Sequence, residues 1–272
     1  MSPDTRESRP LDLVRQIVVI SALCFAIIAA WVGVGGAGGT PVEDAQDGAL
    51  SADGSFLAPA TPAFSIWSVI YLGLIAYTVW QALPKQRTNS RQRARGWWIA
   101  LTMVLNGLWL VASQFWDIWW TVIVIFLLLA ALGFTFHRAV VTRTPDDGMA
   151  DSILVDGVTG LHLGWVTAAA VANVAGWLTA VGPNSWGAHP TKWGLGVLAV
   201  VLLIGVGTAW ASGWRVTPAL ALGWGLAWIA VGRLAFQPRD EMLGWAAIVV
   251  AGLVAVPPLV ISALRIIRPS TD

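Results

Sequence analysis

Eight long apolar stretches run through this chain of 272 residues, and threading them through a bilayer puts 13 of the 16 Lys and Arg residues on one side. That pattern excludes most folds at once. In hydrocarbon every backbone N–H and C=O must be satisfied internally, so a span is a helix or a strand of a closed barrel, and about 20 apolar residues make a helix long enough to cross about 30 Å. The spans read as 13–34, 64–83, 97–116, 119–140, 157–181, 193–211, 216–236 and 242–264. The third and fourth are separated only by Asp117, yet the run from Trp97 to Phe136 covers 40 residues, too long for one crossing, which predicts a tight helical hairpin. The expected fold is an all-α, polytopic membrane helical bundle.

Composition agrees. With 57% hydrophobic and 11% charged residues, the chain lies far from the soluble norm of about 25% charged. With the N-terminus inside, Arg6, Arg9, Arg15, Lys85, Arg87, Arg91, Arg93, Arg95, Arg138, Arg143, Arg215, Arg265 and Arg268 are cytoplasmic, and Lys192, Arg233 and Arg239 lie opposite. The positive-inside rule therefore predicts a multi-pass cell-membrane protein with both termini in the cytoplasm. The 138–156 loop also carries Asp146, Asp147, Asp151 and Asp156, but acidic residues weigh little in orientation. The first span, Leu13 to Val34, is longer than the core of a signal peptide and reads as retained. A net charge of +1 gives no reason to expect nucleic acid as a partner. The single cysteine, Cys24, rules out an intrachain disulfide and reads as a small buried hydrophobe.

The 35–63 connection is rich in Gly and Ala, holds Glu43, Asp44, Asp47 and Asp53, and has no Lys or Arg. It should form the largest external loop, with a composition that suggests local mobility. The Gly- and Pro-rich segment 182–190 divides the chain into residues 1–181, with five spans, and residues 182–272, with three additional transmembrane helices packed with them. Gly157, Gly160 and Gly164 in the fifth span and Gly194, Gly196, Gly205 and Gly207 in the sixth allow helices to approach closely. Pro257 and Pro258 predict a disturbed eighth helix.

Eighteen tryptophans are the other compositional signal. Trp97, Trp98, Trp116, Trp119, Trp120, Trp193, Trp210 and Trp214 lie near span ends, where an indole is favoured at the membrane interface. Trp67, Trp109, Trp165, Trp177, Trp224 and Trp228 lie deeper and either line an aromatic cavity or fill helix interfaces. Asn106 and Asn173 fall near mid-span, where an amide seeks another helix, a water or a ligand. Helical spacing puts Asn106 beside Trp109 and Asn173 beside Trp177. His162 reads as a hydrogen-bonded core histidine, and Arg233 as a cation that snorkels to the nearby interface.

The run from Phe64 through Trp67, Tyr71 and Tyr77 to Trp80, followed by Leu105-Asn106-Gly-Leu-Trp109 and then Trp165, Asn173 and Trp177, resembles the tryptophan-rich sensory protein family, which includes the translocator protein or peripheral benzodiazepine receptor. The resemblance covers about residues 10–181. It implies a five-helix family-like bundle with a cavity for porphyrins, haem-like tetrapyrroles and other hydrophobic molecules, the last three helices being extra. Carried over by motif, the ligand-binding residues would be Trp67, Tyr71, Asn106, Trp109, Trp165, Asn173 and Trp177.

The leading functional expectation is a membrane receptor or binding protein for a planar hydrophobic ligand such as a porphyrin or other tetrapyrrole, with no cofactor required and with porphyrin or haem entering only as ligand. A transporter of a small hydrophobic solute is the alternative, though the span interiors largely lack the charges expected for ion coupling. Tetrapyrrole modification is a third, unsupported by paired carboxylates, a nucleophile triad or a metal-ligand cluster. The bilayer and a hydrophobic small molecule are the expected partners, and a homodimer stays open.

Overall fold

A computed structural model describes residues 8–144 and 148–267; Arg6, Arg268, Asp146 and Asp147 lie outside the described residues. Among these residues the structure is all-α, with no β-sheet and eight helices long and apolar enough to span a membrane. They are α1 (Pro10–Gly33), α2 (Ile66–Ala82), α3 (Ser90–Phe115), α4 (Ile118–Val141), α5 (Val158–Val181), α6 (Pro190–Ala211), α7 (Val216–Ala235) and α8 (Glu241–Ile267). A short 3₁₀ turn, Thr61–Ser65, leads into α2, and a π-helical turn, Ser152–Gly157, leads into α5.

The first five helices close into a ring: α1 packs on α3, α3 on α4, α4 on α5, and α2 touches both α5 and α1. Outside the ring, α7 packs along α5, α8 along α7, and α6 against α8. Small residues make the α5–α7 seam. A Cβ on Gly164 would stand 2.1 Å from the backbone oxygen of Pro218, and one on Gly160 would stand 2.1 Å from Thr217 Oγ1. Gly194 and Gly205 are likewise covered by Leu243 and Val254 of α8, whereas Gly196 and Gly207 face open space and Gly157 meets only its own helix. Without water to drive apolar association, this close approach is what dispersion attraction between membrane helices requires.

Helix ends follow local chemistry. Asp117 and Trp116 adopt extended backbone angles, which breaks the long apolar run into the hairpin of α3 and α4. Asn89 caps α3, its side-chain oxygen accepting from the backbone N–H groups of Arg91 and Gln92. α3 therefore starts seven residues before the expected 97, and its basic first turns are buried instead of leaving the bundle. Arg91 pairs with Asp151 and, at 3.3 Å, with Asp156. Arg95, Arg143 and Arg215 approach the same Asp156 carboxylate at 3.5, 2.6 and 3.7 Å. This network joins α3, the loop after α4, the start of α5 and the α6–α7 turn. Arg93 meets Asp12 of α1 at 2.6 Å.

Four expectations change. Cys24 is exposed on the outer face of α1, because that helix turns Val19, Ala22, Leu23 and Ala26 inward and leaves position 24 towards lipid. α8 continues through Pro257 and Pro258 as one helix. The 35–63 connection, expected to be mobile, is folded over the ring and tied on both sides. Gln114 and the Thr40 backbone exchange hydrogen bonds of 2.7 and 2.8 Å, and Gln46 Nε2 donates to the carbonyls of Ser113 and Trp116. On the other side the Ala60 N–H donates to the Trp228 carbonyl, and Trp224 Nε1 donates to the Ala63 carbonyl. Arg233 completes this anchor. It is fully buried, with Nη1 donating to the Ser55 carbonyl and Nη2 to that of Ala52, and its guanidinium lies over the Phe56 ring. It does not snorkel, because the folded-back loop supplies the acceptors it would otherwise seek in water.

Candidate functional site: an aromatic cavity under a loop lid

The five-helix ring encloses a cavity of about 640 Å³ at the end covered by the 35–63 lid. Its size falls in the range of small-molecule sites, about 300–1,000 Å³. Five of the seven residues expected at the site line it: Trp67 and Tyr71 from α2, Asn106 and Trp109 from α3, and Trp165 from α5. Helical spacing explains the convergence. Trp67 and Tyr71 are one turn apart on one face of α2, as are Asn106 and Trp109 on α3, and the ring turns those faces inward.

The aromatic wall is continuous. Trp67 lies with its ring centroid 5.8 Å from Tyr71, 6.1 Å from Trp165 and 5.7 Å from His162, and Phe64 meets Trp165 edge-on at 5.8 Å. The Trp67–Tyr71 pair is tilted, and the other three are T-shaped, an arrangement that suits ring quadrupoles, in which a positive edge meets a negative face. Two hydrogen-bonded relays run through the wall, whereas the buried Trp165 Nε1 has no hydrogen-bond partner. Asn106 Nδ2 donates to the Tyr71 hydroxyl at 3.0 Å, and that hydroxyl donates to the Ala26 carbonyl of α1 at 3.3 Å. Trp109 Nε1 donates to Asn173 Oδ1 at 2.7 Å, and Asn173 Nδ2 donates to Thr121 Oγ1 of α4 at 2.8 Å. Each relay joins three helices, α1–α2–α3 and α3–α5–α4. Satisfying both asparagine amides this way avoids the cost of a bare amide at membrane depth.

Asn173 therefore stands behind Trp109 and holds it. Trp177, half-buried one turn further along α5, is not among the side chains lining the cavity. Trp224 and Trp228 pair at 5.6 Å on α7, where they meet the start of α2 and the lid. His162 is buried behind Trp67 and also lies outside the lining. Among the described residues, no group of three His, Cys, Asp or Glu is placed to hold a metal ion.

The sequence did not single out Phe64, Ile125 and Leu128 as lining residues, or the lid residues Pro41, Val42, Glu43 and Leu50. Phe64 had a usable signal, since it stands three residues before Trp67 and so shares its face. The lid residues had none, because their position depends on hydrogen bonds to helices far away in the chain.

A membrane-embedded ring of helices around an aromatic, mostly apolar cavity is the architecture of an integral membrane protein that binds small hydrophobic molecules. The match to known families is specific: the chain belongs to the TSPO-like protein family, whose model it matches over residues 16–260. The known role of that family is membrane reception and binding of small hydrophobic ligands such as porphyrins. The match continues past residue 181, where the recognisable motifs end, and takes in α6, α7 and most of α8. No curated protein and no solved structure matches the chain.

Proposed function

We propose that this protein is a membrane receptor for a planar hydrophobic ligand, with a porphyrin or related tetrapyrrole as the leading candidate, bound in the cavity beneath the lid. The observation that carries this reading is the convergence of Trp67, Tyr71, Asn106, Trp109 and Trp165 on one space of about 640 Å³. The indole N–H of Trp109 and the hydroxyl of Tyr71 are already engaged in the protein, so these side chains offer a ligand their ring faces. Flat π-systems gain most from such walls. Among the described residues no His, Cys or Met lines the cavity, so a haem would be held chiefly as a flat molecule against the indoles. Asn173 acts through Trp109, and Trp177 stands outside the lining.

The bundle is proposed to sit in the cell membrane with both termini in the cytoplasm, on the 13 to 3 division of basic residues. The lid then faces outward and the Asp156 network inward. Residues 1–181 form the ligand-binding unit and residues 182–272 the block that anchors its lid.

The test is a titration of nanodisc-embedded protein with protoporphyrin, haemin and a sterol, following tryptophan fluorescence. Saturable quenching by the tetrapyrroles is expected, weakened about tenfold or more in Trp67→Ala and Trp165→Ala and less in Trp177→Ala. Equal quenching in all three variants would place the ligand elsewhere, and no saturable response from a folded sample would turn the reading towards a transporter of another solute.

A further inference from the structure

A second cavity, of about 700 Å³, lies outside the ring between α4, α5 and α6, and is roofed at the lid end by Ser55, Phe56 and Leu57. It exists because α6 stands away from α5. Along α6 it runs from Pro190 to Ile204, about 21 Å at 1.5 Å per residue, which is more than half of the roughly 30 Å hydrocarbon thickness. A long, narrow, apolar groove of this length matches an extended acyl chain.

Water does not suit the space. Its walls are apolar apart from a few hydroxyls, and those of Thr167 and Thr179 already donate to the Leu163 and Ala175 carbonyls of their own helix. One polar group is unspent: Ser55 Oγ, buried at 3% residue exposure, has no hydrogen-bond partner. Ser55 is held in place from behind, its backbone carbonyl accepting from Arg233 Nη1 at 3.0 Å. Near this end Trp186 and Trp193 face each other across the rim at 6.5 Å, both more than half exposed. Such a pair marks the level of lipid headgroups and glycerol backbones. On its open side, Val200 and Ile204 are exposed towards hydrocarbon.

We propose that this groove is a binding site for one acyl chain of a glycerophospholipid from the lid-side leaflet. The chain lies along α6 past Val197 and Val201, and its ester carbonyl accepts a hydrogen bond from Ser55 Oγ. The site stands apart from the aromatic cavity and does not depend on what that cavity binds.

The test uses the full chain in nanodiscs of dioleoylphosphatidylcholine doped with a phosphatidylcholine whose acyl chain carries a diazirine, followed by peptide mapping of the photo-adducts and native mass spectrometry after transfer to mild detergent. Adducts concentrated on Val171, Val197 and Val201, with one lipid retained per chain, are expected. Val197→Trp fills the groove and should abolish both, whereas Leu203→Trp on the exposed outer face of α6 should change neither. Ser55→Ala leaves the groove open and should weaken retention about two- to tenfold, the loss of one hydrogen bond. Porphyrin quenching in Val197→Trp should match the unsubstituted protein, which keeps this site separate from the receptor reading. Adducts spread evenly over the exposed helices, labelling unchanged by Val197→Trp, or a dimer in which the groove is protected from lipid would each overturn the proposal.

Discussion

Replacing Gly164 by alanine tests whether α7, and with it the last three helices, is fixed to the ring by backbone contact. The added Cβ would lie 2.1 Å from the Pro218 oxygen, 2.8 Å from its carbonyl carbon and 2.9 Å from Ala221 Cβ, where non-bonded heavy atoms prefer about 3.5 Å. No side chain can swing aside, because two of the three atoms are backbone. α7 must therefore withdraw by about 1 Å, and a gap of that size forfeits a quarter to a half of the dispersion energy of each contact it opens. Overpacking of this kind costs about 1–3 kcal/mol, partly offset by about 1 kcal/mol from the better helix propensity of alanine. Gly196 and Gly207, with nothing within 4 Å of the added carbon, receive the propensity gain alone. The expected result in reversible unfolding from mixed micelles is a Gly164→Ala variant about 1–3 kcal/mol less stable than Gly196→Ala or Gly207→Ala, since the propensity gain is common to all three. If all three unfold together, the α5–α7 seam is looser than the structure has it and the packing argument fails.

Other perturbations separate further contributions. Asp156→Asn removes the carboxylate shared by Arg91, Arg95, Arg143 and Arg215 and should cost about 3–5 kcal/mol, as when one partner of a buried ion pair is deleted; a loss under about 1 kcal/mol in the same unfolding assay would show that water or lipid headgroups screen the cluster. Trp109→Phe keeps an aromatic ring but orphans Asn173 Oδ1, with an expected loss of about 0.5–2 kcal/mol, and a double-mutant cycle with Asn173→Ala should return most of it as coupling. Arg233→Met frees the Ser55 and Ala52 carbonyls; amide exchange across residues 49–60 should quicken while that of α3 and α4 stays unchanged, and equal protection in both proteins would mean that the lid is held without Arg233.

The amino-acid sequence determined the environment, the number of spans and much of the site, because these depend on quantities local to a segment. Hydropathy counts residues in a row, so all eight helices and the Asp117 hairpin were legible. Helical periodicity is equally local, and it placed Trp67 with Tyr71 and Asn106 with Trp109 on common faces before any tertiary contact was known. What periodicity leaves open is which faces meet. Only the tertiary structure decided that Asn173 braces Trp109 while Trp177 misses the lining, because one helix turn of rotation about α5 is set by its packing on α4 and α7. The burial of charge was illegible for the same reason. Arg233 read as snorkelling, and neither it nor Arg91 and Arg95 carries a local sign of the distant carboxylates and carbonyls that let all three be buried. A Gly-rich loop without helical period likewise carries no local sign that Gln114, Gln46 and Arg233 will pin it into a lid. Its hydrogen bonds span up to 181 positions of sequence, and such pairing is decided only once the ring and the outer helices have brought those positions together.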